Sequence, residues 1–188
     1  FDNYYKSCAA YLFNNGFKSF HVDFGDHKLI GREIDCWDKV NFLKGLGKEI
    51  RLTAHIMSMS GNHRLSVERI TEKCLENGFE IIYIHSRSFD NSNKLLAFKD
   101  KFFKKLNHIF GLVSELDESK NQDLISFIND NNVDNLLQMG VPIGRGAQRF
   151  HSKAIDQIKE ISLACPLLSI IELDGGLTFD IIKNLKNI

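Results

Sequence analysis

An α/β fold with a parallel sheet curling into a barrel is the class this sequence predicts, and three observations carry it. Apolar, β-rich runs alternate strictly with stretches of helical spacing, which is the pattern of a parallel sheet joined by crossover helices. No G-x-G-x-x-G loop follows any of those runs, so the phosphate-binding fingerprint of an open dinucleotide-binding sheet is missing. Polar, reactive residues instead stand at the carboxyl ends of several different runs, where a barrel gathers its functional groups.

The elements follow in order. A first helix is expected over residues 4–14, stopped by Asn15-Gly16, because both residues tolerate the left-handed conformation that ends a helix. A strand follows at 18–24, then a short helix at 39–44 and a strand at 51–57. The helix expected at 66–76 ends on a second Asn-Gly pair, Asn77-Gly78. Further strands are expected at 80–85, 108–114, 134–139 and 168–174, with helices at 94–106, 123–129, 153–162 and 179–185. The strands start roughly every 30 residues, the size of one βαβ unit. Composition does not shift along the chain and no Pro- or Ser-rich linker interrupts it, so residues 1–188 read as one domain.

Charge and cysteine usage narrow the function. Twenty-four basic residues balance twenty-four acidic ones, which removes the electrostatic footprint of a nucleic-acid partner but leaves room for a small charged metabolite. Lysines with interleaved Phe102 and Phe103 in residues 99–105 are the ordinary pattern of a helix covering a sheet. The apolar runs fall far short of the roughly 20 residues a membrane span requires. Cys8, Cys36, Cys74 and Cys165 form no C-x-x-C pair and read as reduced thiols, two or three of them buried, in a cytoplasmic protein. The start at Phe1 reads as an excision point from a longer chain, and a homo-oligomer is left open.

Strand side chains alternate between faces. In Phe20-His21-Val22-Asp23-Phe24 the aromatic and aliphatic residues therefore share the helix-covered face, and His21 and Asp23 share the other. The same rule turns Thr53, His55 and Met57 inward on the next strand and aligns Asp174 with Glu172 and Ile170 on the last. Two imidazoles and two carboxylates, His21, Asp23, His55 and Asp174, are thus delivered to one interior end. That donor set suits a divalent transition metal, and zinc, iron, manganese and cobalt all remain open. Any one of these residues alone is more often a half-buried histidine or a capping aspartate; four in register are much harder to explain that way.

These residues carry a resemblance. His21-Val22-Asp23 followed by Asp26 resembles the second-strand H-x-D-x-x-D signature of the ribulose-phosphate 3-epimerase family, and His55-Ile56-Met57 resembles its third-strand H-L-M. Met139-Gly140-Val141 and the stretch from Gly144 to Phe150 resemble the sixth-strand methionine and its G-F-G-G-Q-K-F loop. Asp174-Gly175-Gly176 resembles the seventh-strand D-G-G, and His85 falls where the family has a fourth-strand histidine.

The resemblance implies a (β/α)8 TIM barrel, incomplete here because the family's strands one and eight lie outside these residues. It implies a cytoplasmic enzyme of carbohydrate metabolism, in the pentose phosphate pathway, that inverts C3 of a ketose phosphate by proton transfer through a metal-stabilised enediolate. The substrate it points to is D-ribulose 5-phosphate, giving D-xylulose 5-phosphate. Asp23 and Asp174 would be the acid/base pair and, with His21 and His55, the metal ligands. His55 would also contact the substrate, Met57 and Met139 would line the reacting carbons, and Gly144, Arg145, Gly146, Ala147, Gly175 and Gly176 would hold the phosphate. Departures fall in the recognition loops: Pro142-Ile143 replaces Asn-Pro, Glu115-Leu116-Asp117-Glu118 replaces Asn-Pro-x-Thr, Gly25 and His27 replace a methionine and a glycine, and Arg145 replaces an aromatic residue. A hexulose 6-phosphate substrate and a non-catalytic sugar-phosphate-binding barrel are the alternatives these departures leave.

Overall fold

The computed structural model describes residues 2–104, 108–116 and 121–185. In chain order its elements are α1 (Asp2–Asn14), β1 (Ser19–Gly25), α2 (His27–Ile30), α3 (Trp37–Leu46), β2 (Arg51–Met57), α4 (Val67–Glu76), β3 (Ile81–His85), α5 (Ser92–Phe103), β4 (Ile109–Ser114), α6 (Asn121–Asp130), β5 (Asn135–Met139), α7 (Lys153–Ala164), β6 (Ile170–Asp174) and α8 (Phe179–Leu185). A 3-10 turn at Ser86–Ser88 follows β3. All six strands are parallel and pair in sequence order, β1-β2-β3-β4-β5-β6.

Two apolar layers result from the alternation along these strands. The outer face carries Val22 and Phe24, Leu52, Ala54 and Ile56, Ile82 and Ile84, and Leu112 and Leu136 against the helices. Tyr83, Val113, Leu137, Met139 and Val141 form a separate buried cluster on the inner face. The helices present matching stripes. In α4 the buried residues are Val67, Ile70, Thr71 and Cys74, the i, i+3, i+4, i+7 spacing of one helix face. Ser66 caps that helix by accepting from the Arg69 amide, and its C-cap is Asn77, as the Asn-Gly pair predicts.

Each expected strand is present, with shifts of at most two residues at its ends. The last begins at Ile170 rather than 168, because a turn closed by Leu168 N to Cys165 O (3.1 Å) holds the chain there. The helix expected at 39–44 runs from Trp37 to Leu46, and that expected at 94–106 is Ser92–Phe103, started by Asn91 accepting from Lys94 N; residues 105 and 106 lie outside the described residues. Helix α2, not anticipated, is a single turn capped by Asp26, too short for any hydrophobic period to announce it. Cys36, Cys74 and Cys165 are buried and all four thiols are free. Among the described residues β1 and β6 do not pair with each other, so the sheet is a curled half-barrel rather than a closed one. No described helix is long and apolar enough to cross a membrane.

Candidate metal centre and active-site cavity

The curl of the sheet creates the site. His21 and Asp23 lie on β1, His55 on β2 and Asp174 on β6, the two outer strands and one neighbour. In a flat sheet, five strand spacings would separate β1 from β6 by about 24 Å. Here one ligand atom from each of the four side chains falls within 4.8 Å of the others. The ladder fixes the rest: Asp23 is paired with His55 across β1 and β2, and Asp174 with Met139 across β5 and β6.

His55 is the centre of the group. Its ring is 1% exposed, and its Nδ1 stands 3.4 Å from Asp23 Oδ1 and 3.7 Å from Asp174 Oδ2. His21 Nε2 is 3.6 Å from the same Asp23 oxygen. These separations are charge contacts rather than well-formed hydrogen bonds, and His55 Nδ1 is left as a buried polar atom without a hydrogen-bond partner. Such an atom is costly unless something else meets it. Two imidazole nitrogens and two carboxylates converging on that atom fit a divalent cation, which would meet all four at once.

The charges are mutually tuned. Burial opposes a proton on His55, but Asp174 and Asp23 outweigh it and raise the ring above the ordinary imidazole range. The same contact with His55 holds the Asp174 carboxyl below the usual range, helped by His21 and the Gly175 amide. His21 moves the other way, lowered by its own burial and then by the charge on His55. Its second nitrogen, Nδ1, is 3.0 Å from Thr53 Oγ1, and its ring stacks on Tyr83. Tyr83 has room there because residue 111 is glycine: a Cβ at that position would come within 2.3 Å of the Tyr83 ring.

A cavity of about 200 Å³ opens beside this group. Asp23, His55 and Asp174 form its floor, with Met57, Met139 and Val141 as an apolar wall. The lining is completed by two glycine-rich segments, Gly144, Arg145, Gly146 and Ala147 after β5 and Gly175 and Gly176 after β6. Gly144, Ala147, Gly175 and Gly176 all take positive φ, between 57° and 97°, the conformation that turns amides into an anion-binding concavity. Gln148 holds the first loop by donating to the carbonyls of Pro142 (2.6 Å) and Arg145 (2.8 Å). Gly140 N donates to Asp174 O at 2.6 Å, tying the end of β5 to β6. Of the twelve candidate site residues, eleven line this one cavity. His21 alone lies off this cavity's wall, on the adjoining groove that Asp23 and Arg32 also line.

Several residues escaped the sequence reading. Arg32 lines both the cavity and that groove. His85, noted only for its position, brings Nε2 within 2.8 Å of His55 Nε2, and its Nδ1 reaches Glu115 Oε1 at 2.7 Å. Arg87 pairs with the same carboxylate oxygen at 2.7 Å. The usable signal was period two: His85 shares an inward face with Tyr83, which is paired with His55.

Comparison with known proteins agrees with this geometry. A family model, that of the ribulose-phosphate 3 epimerase family, matches residues 2–187. No curated protein matches the sequence significantly. Among solved structures, a protein assigned as a racemase from Roseobacter denitrificans superposes with a TM-score of 0.56 at 14% identity, over 92% of this chain and 43% of its own. The YdjI aldolase from Escherichia coli K12 gives 0.55 at 16%, over 95% of this chain and 65% of its own. Oxaloacetate acetylhydrolase gives 0.52 at 12%, over 97% and 76%. At these identities the likeness is one of fold, and the chain spans less than two thirds of the length of the first two.

Proposed function

The chain belongs to the ribulose-phosphate 3-epimerase family, and on that footing we propose that it inverts C3 of a ketose phosphate, D-ribulose 5-phosphate in the first instance. The observation that carries this reading is the pair Asp23 and Asp174, set on the two outer strands and both brought to His55 Nδ1. Inversion needs a base on one face of C3 and an acid on the other, and two carboxylates can exchange those roles in the reverse direction. The C3 proton is acidic because it lies next to the C2 carbonyl. One aspartate takes it, and the other returns a proton to the opposite face.

His21, Asp23, His55 and Asp174 are the residues that would hold a divalent cation. When bound, such a cation supplies positive charge beside the developing oxyanion. The remaining residues bind and orient. Met57 and Met139 offer a polarizable wall without hydrogen-bonding groups, which keeps competing proton donors away from the reacting carbons. The amides of residues 144–147 and 175–176 hold the phosphate, and Arg145, exposed at the loop tip, adds a guanidinium to it.

The test is to incubate the protein and a divalent metal with D-ribulose 5-phosphate in deuterated water and follow the C3 proton by NMR. Exchange together with the appearance of D-xylulose 5-phosphate supports the reading. Exchange only with a hexulose 6-phosphate would keep the chemistry and change the substrate. Metal-bound, folded protein that exchanges neither would overturn it in favour of a binding barrel.

A further inference from the structure

Behind His55 runs a line of polar groups that the mechanism above does not use: His55, His85, Glu115 and Arg87. We propose that Glu115 is a positioning residue for the site, acting through His85 to fix which nitrogen His55 turns toward Asp23 and Asp174. The inference rests on the metal-site reading and adds to it the group that sets the ligand's tautomer.

Proton counting carries the argument. The Glu115 carboxylate, 2.7 Å from His85 Nδ1 and paired with the Arg87 guanidinium, can only accept a hydrogen bond. His85 therefore carries its proton on Nδ1. The two Nε2 atoms of His85 and His55 lie 2.8 Å apart with the ring planes within 26° of each other, a distance at which one donates and the other accepts. His85 is fully buried, and with its Nδ1 proton committed to Glu115 its Nε2 is the ring atom with a lone pair to offer. The proton between the rings then belongs to His55 Nε2. That leaves Nδ1 of His55 as the atom facing both aspartates, and it is the atom found without a hydrogen-bond partner.

An ordinary surface ion pair would not be built this way. The Glu115 and Arg87 side chains are 26% and 37% exposed, where a pair by itself adds little. What the arrangement does supply is a fixed acceptor against a ring that solvent cannot reach. Glu115 is itself held from behind, since Gln157 Nε2 donates to its backbone carbonyl at 3.0 Å and to Asn121 Oδ1 at 3.1 Å. Histidine ligands are commonly oriented by a carboxylate on the other ring nitrogen; here a second histidine stands between the two.

The experiment uses the intact protein and two substitutions, Glu115→Leu and Glu115→Gln, with cobalt(II) as the probe. Cobalt affinity is read from visible absorption, and ring tautomers from long-range 15N–1H correlation spectra. The expected result is Nδ1–H on His85 and Nε2–H on cobalt-bound His55, cobalt affinity about 10–100-fold weaker in Glu115→Leu, and recovery of most of that loss in Glu115→Gln, whose amide oxygen still accepts the Nδ1 proton. The proposal is overturned by Nε2–H on His85, by wild-type affinity and unchanged tautomers in Glu115→Leu, by a Glu115→Gln protein as weak as the leucine variant, or by wild type that binds no cobalt. Graded cobalt affinities in a protein that exchanges no C3 proton would leave this assignment standing and remove the epimerase reading instead.

Discussion

Asp23 and Asp174 stand on the first and last strands of the sheet, yet both reach His55 Nδ1, at 3.4 and 3.7 Å. If they are opposed acid/base groups, losing either should separate proton exchange from inversion. Asp23→Asn and Asp174→Asn are each expected to lower epimerisation by about 10²–10⁴-fold. Each should still wash deuterium into C3 of one epimer, a different one for each variant, through the aspartate that remains. NMR of the two purified epimers in deuterated water checks this, and equal exchange of both epimers by either variant would rule out the two-base arrangement.

How much of this was visible in the sequence depends on which residues are considered. His21, Asp23, His55 and Asp174 were legible because period-two alternation puts each on a known face and each ends an apolar run. Their meeting was less so: Asp174 belongs to β6 and Asp23 to β1, and only the curl of the sheet closes the gap between them. Glu115 was visible only as a departure from a familiar loop, because its partner His85 is 30 positions away and the contact depends on both strand ends. Helix α2 has four residues and no buried side chain, so its one local signal is the capping Asp26.

The partnerless Nδ1 of His55 leads to a prediction about the cation. Stripping metal with a chelator should lower the unfolding temperature, and restoring zinc or cobalt should raise it. At a free-metal concentration one hundred times the dissociation constant the gain is about 2.7 kcal/mol, or roughly 5–10 °C for a domain of this size. In His55→Ala the metal-dependent rise should vanish, since the central donor is gone. Calorimetric melts with and without chelator check it, and an undiminished rise in the variant would move the cation elsewhere.

Asp26, the second aspartate of the H-x-D-x-x-D pattern, takes a structural part. Its buried carboxylate accepts from Leu29 N at 2.7 Å and Met59 N at 2.9 Å and meets His63 Nε2 at 2.7 Å, so it clamps the loop after β1 to the loop after β2. Asp26→Ala should cost about 3 kcal/mol, because it removes charge-assisted bonds and strands buried donors. Urea unfolding measures the loss. A stability change below about 1 kcal/mol would mean that water replaces the clamp without difficulty.

Gly176 offers the sharpest test of the backbone wall. Its φ of +70° disfavours any side chain, and a Cβ there would sit 2.5 Å from Phe150 N and 2.8 Å from Phe150 Cα, backbone that cannot swing aside. Gly176→Ala must therefore displace either the turn after β6 or the end of the loop before α7. The left-handed conformation alone costs about 1–2 kcal/mol for a residue with a Cβ, and the clash adds to it. In the proposed reading both segments would supply amides to the phosphate, whereas Asp174 is held upstream by the β5–β6 ladder. The variant is expected to raise KM at least tenfold while kcat falls less, as removal of binding common to ground and transition state should do. Steady-state epimerisation kinetics separate the two parameters, and a loss confined to kcat would mean that the turn positions Asp174 rather than the phosphate.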